Sequence, residues 1–263
     1  MAEQVITLTT DFGWTELPAA MRGVILQLAP EGTKVVDINH DIPPHSIIQG
    51  AYAMLTVCPI YRGAIHVGVV DPGVGTKRRA VVLETEGGLI VGPDNGLFAP
   101  LAHRLGLKRA VAITNGKYWR VPVSATFHGR DIFAPVAAHL ASGVSLDQIG
   151  TPVNNLETLP AFEVRDTPHE IQASVINIDP FGNLVVSIPA ALVVDMLESG
   201  ERLQFRIGGR KAFAHPVSAY GEIAGKSFGV IANSADFLEI AVHRGSAQER
   251  LGARVGDPVS LRK

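Results

Sequence analysis

The sequence predicts an N-terminal α/β domain with a mainly parallel sheet, followed by an all-β barrel domain. Three observations predict it. Short runs rich in Val and Ile alternate with helix-like stretches in the first part of the chain. The stretch "TPVNNLETLPAFEVRDTPHE", Thr151 to Glu170, carries three prolines, many polar residues and no sustained period. Beyond it the runs become short and alternating and are divided by glycine, proline and asparagine turns.

Taken in order, the strands of the first part are "VITLTT", "KVVDIN", "AIHVGVV", "AVVLET" and "AVAIT", and the helices span Pro18 to Leu28, Ile47 to Val57, Phe98 to Leu105 and Ile132 to Ala141. Residues 1–155 form the α/β domain, 156–168 a linker and 169–263 the barrel, whose strands include "ASVINI", "LVVSI", "LQFRIGG", "FGVIANS" and "FLEIAV". Several runs of the first part end in acidic or glycine-bearing turns: "TTDFG" with Asp11, "VDPGVG" with Asp71, and "GPDNG" with Asp94 and Asn95. Open α/β sheets collect ligands outside the carboxyl ends of their strands, so these turns stand where a site belongs.

Composition narrows the function. A chain of 263 residues that is 46% hydrophobic builds a core without staples. Its single cysteine, Cys58, excludes an intrachain disulfide framework and multi-cysteine metal sites. The start "MAEQVITLTT" lacks the basic and apolar regions of a signal peptide, and no apolar run approaches the roughly 18 residues of a membrane span. A cytoplasmic protein with no membrane partner is expected. A net charge of −2 with mixed signs gives no basic stripe, so no nucleic-acid partner is expected either.

Two nucleotide motifs fail on spacing. Gly73 and Gly75 open a G-x-G-x-x-G pattern whose third position is Arg78, and "AGKS" at Ala224 to Ser227 has Tyr220 where a phosphate loop needs glycine. A denser cluster is "VVDINHDIPPHS", with Asp37, His40, Asp41 and His45. Such residues could ligate a divalent metal and generate hydroxide, or could satisfy loose backbone groups at a Pro-Pro turn. In "TFHGRDIFAPVAAHLA", Asp131 suits an N-cap, with Pro135 in the first helical turn and His128 just ahead of it; His139 reads as packing or surface. In the second part, "NIDPFGNLVVSI" places Phe181 and Asn183 near Asp179, and "IANSADFLEIAVHRGSA" brings Asn233, Ser234 and Glu239. These segments read as hairpins, with Phe181 either in the barrel core or as an aromatic face for a purine.

Together, "TTDFG", "VVDPGVGTKRR", "VGPDNGL", "TFHGRDIFAPVAAHLA", "DPFGNL" and "NSADFLEIAV" resemble, in order and over almost the whole chain, the S-adenosyl-L-methionine (SAM) hydrolase family, or SAM hydroxide adenosyltransferases, relatives of the fluorinase and chlorinase. The resemblance implies an α/β domain, a β-barrel and a homotrimer with active sites between subunits. It implies conversion of S-adenosyl-L-methionine and water to adenosine and L-methionine by attack at ribose C5′, with no cofactor and no metal. The family's catalytic Asp, Arg and His fall on Asp71, Arg78 and His128; Arg78 rather than its neighbour Arg79 is chosen on motif spacing. Nucleoside-binding positions fall on Asp11, Asp71, Asn183, Ser234, Glu239 and the backbone around Val242; Phe181 either packs on adenine or belongs to the barrel core. The fluorinase segment matching "DPGVG" begins with tyrosine, so Asp71 favours water over halide as nucleophile. Ala235 stands where the fluorinase has arginine, so the holding of the amino-acid tail is not carried over. The competing expectations are a nucleoside-binding protein with negligible turnover, a metal-dependent hydrolase built on Asp37, His40, Asp41 and His45, and a halogenase.

Overall fold

A computed structural model describes residues 4–263. The chain divides into two compact units, the first ending at Leu159 and the second running Pro160–Lys263. The divide falls inside the proline-rich stretch. After it, Pro160–Phe162 makes a tight turn and Arg165–Asp166 pairs within the second unit.

The first unit holds strands β1 (Val5–Thr10), β2 (Lys34–Asn39), β3 (Ala64–Val69), β4 (Ala80–Thr85), β5 (Gly88–Pro93), β6 (Leu107–Ile113) and β7 (Gly150–Val153), in the sheet order β2-β1-β3-β5-β4-β6-β7. β2, β1, β3 and β5 pair in parallel, and β4 and β7 run against the rest, so five of the seven strands share one direction. β3 is buried at every residue, as a strand covered on both faces must be. β5 was not expected, because its glycines read as turn. They are needed by the pairing: a Cβ on Gly88 would lie 2.3 Å from the Ala64 carbonyl oxygen of β3.

The principal helices are α1 (Glu16–Leu28), α2 (Ile47–Val57), α3 (Ala99–Arg104) and α4 (Ala134–Ala141). α1 starts two residues before the expected Pro18 because Thr15 caps it, accepting from Leu17 N, and proline is tolerated in a first turn. α1 packs on α4, and Met21 and Ile25 of α1 share one core with Ile6, Val67, Phe133 and Val136.

The expectation that Asp131 caps α4 is overturned. The helical run opens earlier, as a wide five-residue turn over Gly129–Phe133 with His128 at its N-cap position, and Asp131 lies within it. Its carboxylate is turned back onto groups upstream in the chain, described below. Pro135 does sit in the first turn of α4.

The second unit comprises β8 (Arg165–Asp166), β9 (Glu170–Ile178), β10 (Leu184–Pro189), β11 (Leu203–Ile207), β12 (Arg210–Pro216), β13 (Phe228–Ala232), β14 (Phe237–Ala241) and β15 (Pro258–Arg262). The order β10-β14-β13-β12-β11-β15-β9 closes on itself through the β9/β10 pairing, giving a seven-stranded barrel with β8 as an appendage on β9. Closure removes sheet edges. Alternation fills it: Leu203, Phe205 and Ile207 of β11 point inward with Ala212 and Ala214 of β12, against Val186, Val230, Leu238 and Leu261. No helix among the described residues is long and apolar enough to cross a membrane.

Candidate active site

Asp11 and Asp71 follow the C-terminal ends of β1 and β3, which are paired in parallel, so both emerge at one sheet edge. Val69 and Val70 are buried, and the chain turns immediately after Asp71. Val74 N donates to Asp71 O at 3.2 Å, Thr76 N to Gly73 O at 3.2 Å, and Thr76 Oγ1 accepts from Arg78 N at 3.3 Å. Gly75 has φ +77°, and a Cβ there would lie 2.4 Å from the Ala125 carbonyl oxygen. Only glycine lets this turn approach the segment that leads to His128.

The turn returns Arg78 to Asp71 as a two-pronged pair. Nε donates to Oδ1 at 3.0 Å and Nη2 to Oδ2 at 2.5 Å, with both side chains nearly buried. Nη1 donates to Arg79 O at 3.1 Å, and the guanidinium lies over the Phe133 ring at 5.4 Å. His128 Nδ1 stands 3.1 Å from Arg78 Nη2. A guanidinium offers only donors, so Nδ1 is the acceptor and a neutral His128 carries its proton on Nε2. Burial and then the Arg78 charge hold the His128 pKa below the ordinary imidazole value, against the opposite pull of Asp71 and Asp131. Arg79, the alternative by one position, points elsewhere: it pairs with Asp94 Oδ2 at 2.6 Å and donates to Asn155 O at 2.5 Å.

Asp11, Asp71 and His128 line one cavity of about 220 Å³ together with Phe12, His45 and Phe127. Phe12 and Phe127 meet edge to face at 5.8 Å. Asp11 Oδ2 accepts from His45 N at 2.8 Å, with His45 in the left-handed region at φ +66°. Behind His128, the buried Asp131 carboxylate accepts from Arg130 at 2.7 and 2.8 Å, from Arg120 Nη1 at 3.1 Å and from Ser124 N at 2.9 Å. Burial opposes its charge, but these donors hold its pKa below the usual carboxylate value.

The metal reading of Asp37, His40, Asp41 and His45 does not match the geometry. Asp37 pairs with Arg22, Asp41 Oδ2 accepts from Trp14 Nε1 at 2.8 Å, and His40 bonds Thr10 Oγ1 at 2.9 Å. Among the described residues no group of three or more His, Cys, Asp or Glu could hold a metal ion. His139 is a packing residue, edge-on to Tyr118 at 5.1 Å.

The barrel carries a second cavity, of about 550 Å³, lined by Asp179, Phe181, Asn183, Tyr220, Val242 and His243 among others. Asp179 folds the β9–β10 turn: it accepts from the backbone of Phe181 and Asn183 at 2.9 and 2.8 Å and from Asn183 Nδ2 at 2.8 Å. Phe181 is therefore not barrel core; it stands 76% exposed on that turn. Glu239 is buried and reaches the cavity through Tyr220, whose hydroxyl donates to Oε1 at 2.7 Å, while Ser234 lies exposed on the β13–β14 turn. Tyr220 was missed as a site residue; nothing local marks it, since its partner is 19 positions away.

Residues 6–150 match the SAM hydroxide adenosyltransferase N-terminal domain, and residues 173–260 the corresponding C-terminal domain. The chain is 39% identical over 256 residues to an (R)-S-adenosyl-L-methionine hydrolase from Salinispora tropica, covering 96% of this chain and 95% of that protein. A more distant likeness, 26% over 215 residues, covers 70% of this chain and 71% of a fluorinase from Actinoplanes. The crystal structure of an uncharacterized conserved protein from Thermotoga maritima superposes with a TM-score of 0.87 at 30% identity, covering 99% of this chain and all of that one. With both domain types matched in order over most of its length, the chain belongs to the SAM hydroxide adenosyltransferase family.

Proposed function

We propose that this protein hydrolyses S-adenosyl-L-methionine to adenosine and L-methionine, with Asp71, Arg78 and His128 as its catalytic set and a homotrimer as its working form. The observation that carries the reading is the Arg78–Asp71 pair, joined to His128 and opening on the cavity that also holds Asp11. The sulfonium is already an activated leaving group, so no acid is needed to expel methionine. What the reaction needs is one oriented water and an acceptor for its proton. The water oxygen bonds to C5′, the C5′–S bond breaks with its electron pair passing to sulfur, and the thioether leaves neutral.

His128 Nδ1 already accepts from Arg78, which makes Nε2–H a donor that orients the water through its oxygen. The water proton then goes to Asp71, whose carboxylate Arg78 fixes in place. Asp11 takes the ribose diol. The barrel supplies the nucleoside face through Phe181, Asn183, Glu239, Ser234 and the Val242 backbone, in the trimer as the neighbouring subunit's contribution. An aromatic ring left 76% exposed beside amide and carboxylate groups suits a surface that a ligand or a second copy covers. The single free cysteine, buried Cys58, suits a cytoplasmic setting.

The test is incubation of chelator-treated protein with S-adenosyl-L-methionine in chloride buffer enriched in ¹⁸O water, with nucleosides followed by mass spectrometry. Adenosine labelled at the 5′-hydroxyl, lost in Asp71→Ala, is expected. Intact substrate would leave a binding protein, a chlorinated nucleoside a halogenase, and activity lost only on chelation a metal-dependent hydrolase.

A further inference from the structure

The stretch "VVDINHDIPPHS" stood out in the sequence, and the proposed chemistry makes no use of it. Its contacts converge on one residue. Asp11 N donates to Val69 O of β3 at 3.4 Å, and His40, Asp41 and His45 hold the residues around it and its carboxylate. Before it, Thr10 Oγ1 lies 2.9 Å from His40 Nδ1. After it, Phe12 N donates to Thr10 Oγ1 at 3.3 Å, Gly13 N to His40 O at 2.8 Å, and Trp14 Nε1 to Asp41 Oδ2 at 2.8 Å. The carboxylate itself accepts from His45 N at 2.8 Å.

His40 is the centre of this arrangement. Its ring is fully buried, edge-on to Trp14 at 5.0 Å, with Nε2 3.1 Å from Asp37 Oδ1. Nε2 and Oδ1 are close without the geometry of a hydrogen bond, but two acceptors would repel at that distance, so the carboxylate charge favours the proton on Nε2 and leaves Nδ1 as an acceptor. The Thr10 hydroxyl must then donate to Nδ1, which leaves its lone pairs for the Phe12 N–H. The hydrogen bonds run one way, from Phe12 through Thr10 to His40. Burial and the Arg22 charge lower the His40 pKa against the pull of Asp41, which keeps the ring in this neutral form.

We propose that His40, acting through Thr10, is a positioning residue that sets the backbone on which Asp11 meets the ribose hydroxyls. The proposal rests on the reading of Asp11 as the ribose ligand, and its test separates the two. Binding of adenosine and of 2′,3′-dideoxyadenosine is measured by calorimetry, beside KM and kcat for S-adenosyl-L-methionine. Wild type should prefer adenosine, and Asp11→Ala should abolish the preference. Thr10→Val should cut it about tenfold and raise KM by a like factor with kcat within about threefold, and should add nothing in an Asp11→Ala background.

His40→Gln, which places its amide where Nε2 stood, should behave like Thr10→Val. His40→Asn retains an acceptor near the Nδ1 position and should keep most of the preference; this pair decides the matter if Thr10→Val does not fold. Full diol preference in Thr10→Val, or equal loss in His40→Asn and His40→Gln, overturns the proposal. No preference in wild type itself would remove Asp11 from the ribose and the proposal with it.

Discussion

The two cavities are built on opposite plans. In the α/β unit Asp71, Arg78 and Asp131 are almost or fully buried and tied to partners: Asp71 to Arg78, Arg78 to the half-buried His128, Asp131 to Arg130 and Arg120. In the barrel the most prominent group, Phe181, stands 76% exposed on a turn whose carboxylate is occupied with its own backbone. Buried, mutually oriented charges hold a geometry before substrate arrives, as a reacting centre requires. An exposed aromatic on a rigid turn offers area for recognition instead. On the proposed reading the first unit carries turnover and the ribose contact at Asp11, and the barrel carries the adenine face.

Neighbouring arginines give that contrast its strongest test. Arg78→Lys removes the two-pronged grip on Asp71 while keeping a charge, and kcat at saturating substrate should fall about a thousandfold. Arg79→Lys, whose partners are Asp94 and Asn155, should leave kcat within a few-fold. Equal losses in steady-state assays would mean that the pairing geometry does not carry turnover.

What was legible in the sequence follows the same divide. β1, β3, β4 and α2 are readable because their burial is periodic or continuous, and the half-buried β2 because of its Val-Val-Asp-Ile run. β6 was read only from Ala110, because its opening residues Leu107 to Arg109 are exposed and polar in pattern, and β5 was hidden by glycines that its pairing demands. Asp71 and Arg78 were legible as a motif, but only the fold separates Arg78 from Arg79. Asp131 reads as a cap because, besides the adjacent Arg130, its partners Ser124 and Arg120 lie seven and eleven positions upstream. Local spacing carries no trace of such contacts.

Acid should separate the units next. His66, fully buried in β3 and bonded to Thr7 Oγ1 at 2.9 Å, has its pKa lowered by burial to about 4. The unfolded chain therefore takes the proton first. The stability held above pH about 6.5 is lost as pH falls towards 4, by about 2 kcal/mol at pH 5, or roughly 30-fold. His40, also buried and lowered, adds in the same direction. Of the barrel's three histidines, His169 and His215 are exposed and His243 is half-buried, with none fully buried as His66 is. Hydrogen exchange at pH 7 and pH 5, corrected for intrinsic rates, should show protection falling in the first unit before the second. The slope should flatten in His66→Gln; equal loss in both units, or an unchanged slope, would refute the assignment.

The smallest effect is the most specific to the barrel. Phe181→Ala leaves the Asp179 hydrogen bonds to the turn backbone available, since those use the N–H groups of positions 181 and 183 and not the ring. The fold should therefore be retained, with thermal stability within a degree or two, because an exposed ring contributes little to the core. If the ring stacks on adenine, its loss should raise KM and weaken adenosine binding about tenfold, in line with the roughly 1–3 kcal/mol of base–aromatic stacking. The kcat at saturating substrate should hardly move, because the proposed mechanism gives the positioning of the reacting atoms to Asp71, Arg78 and His128. Phe181→Tyr should restore affinity by keeping the π-face. Were Phe181→Ala to lower kcat and leave KM unchanged, the barrel would belong to the chemistry, and the division of labour between the two cavities would fail at its recognition end.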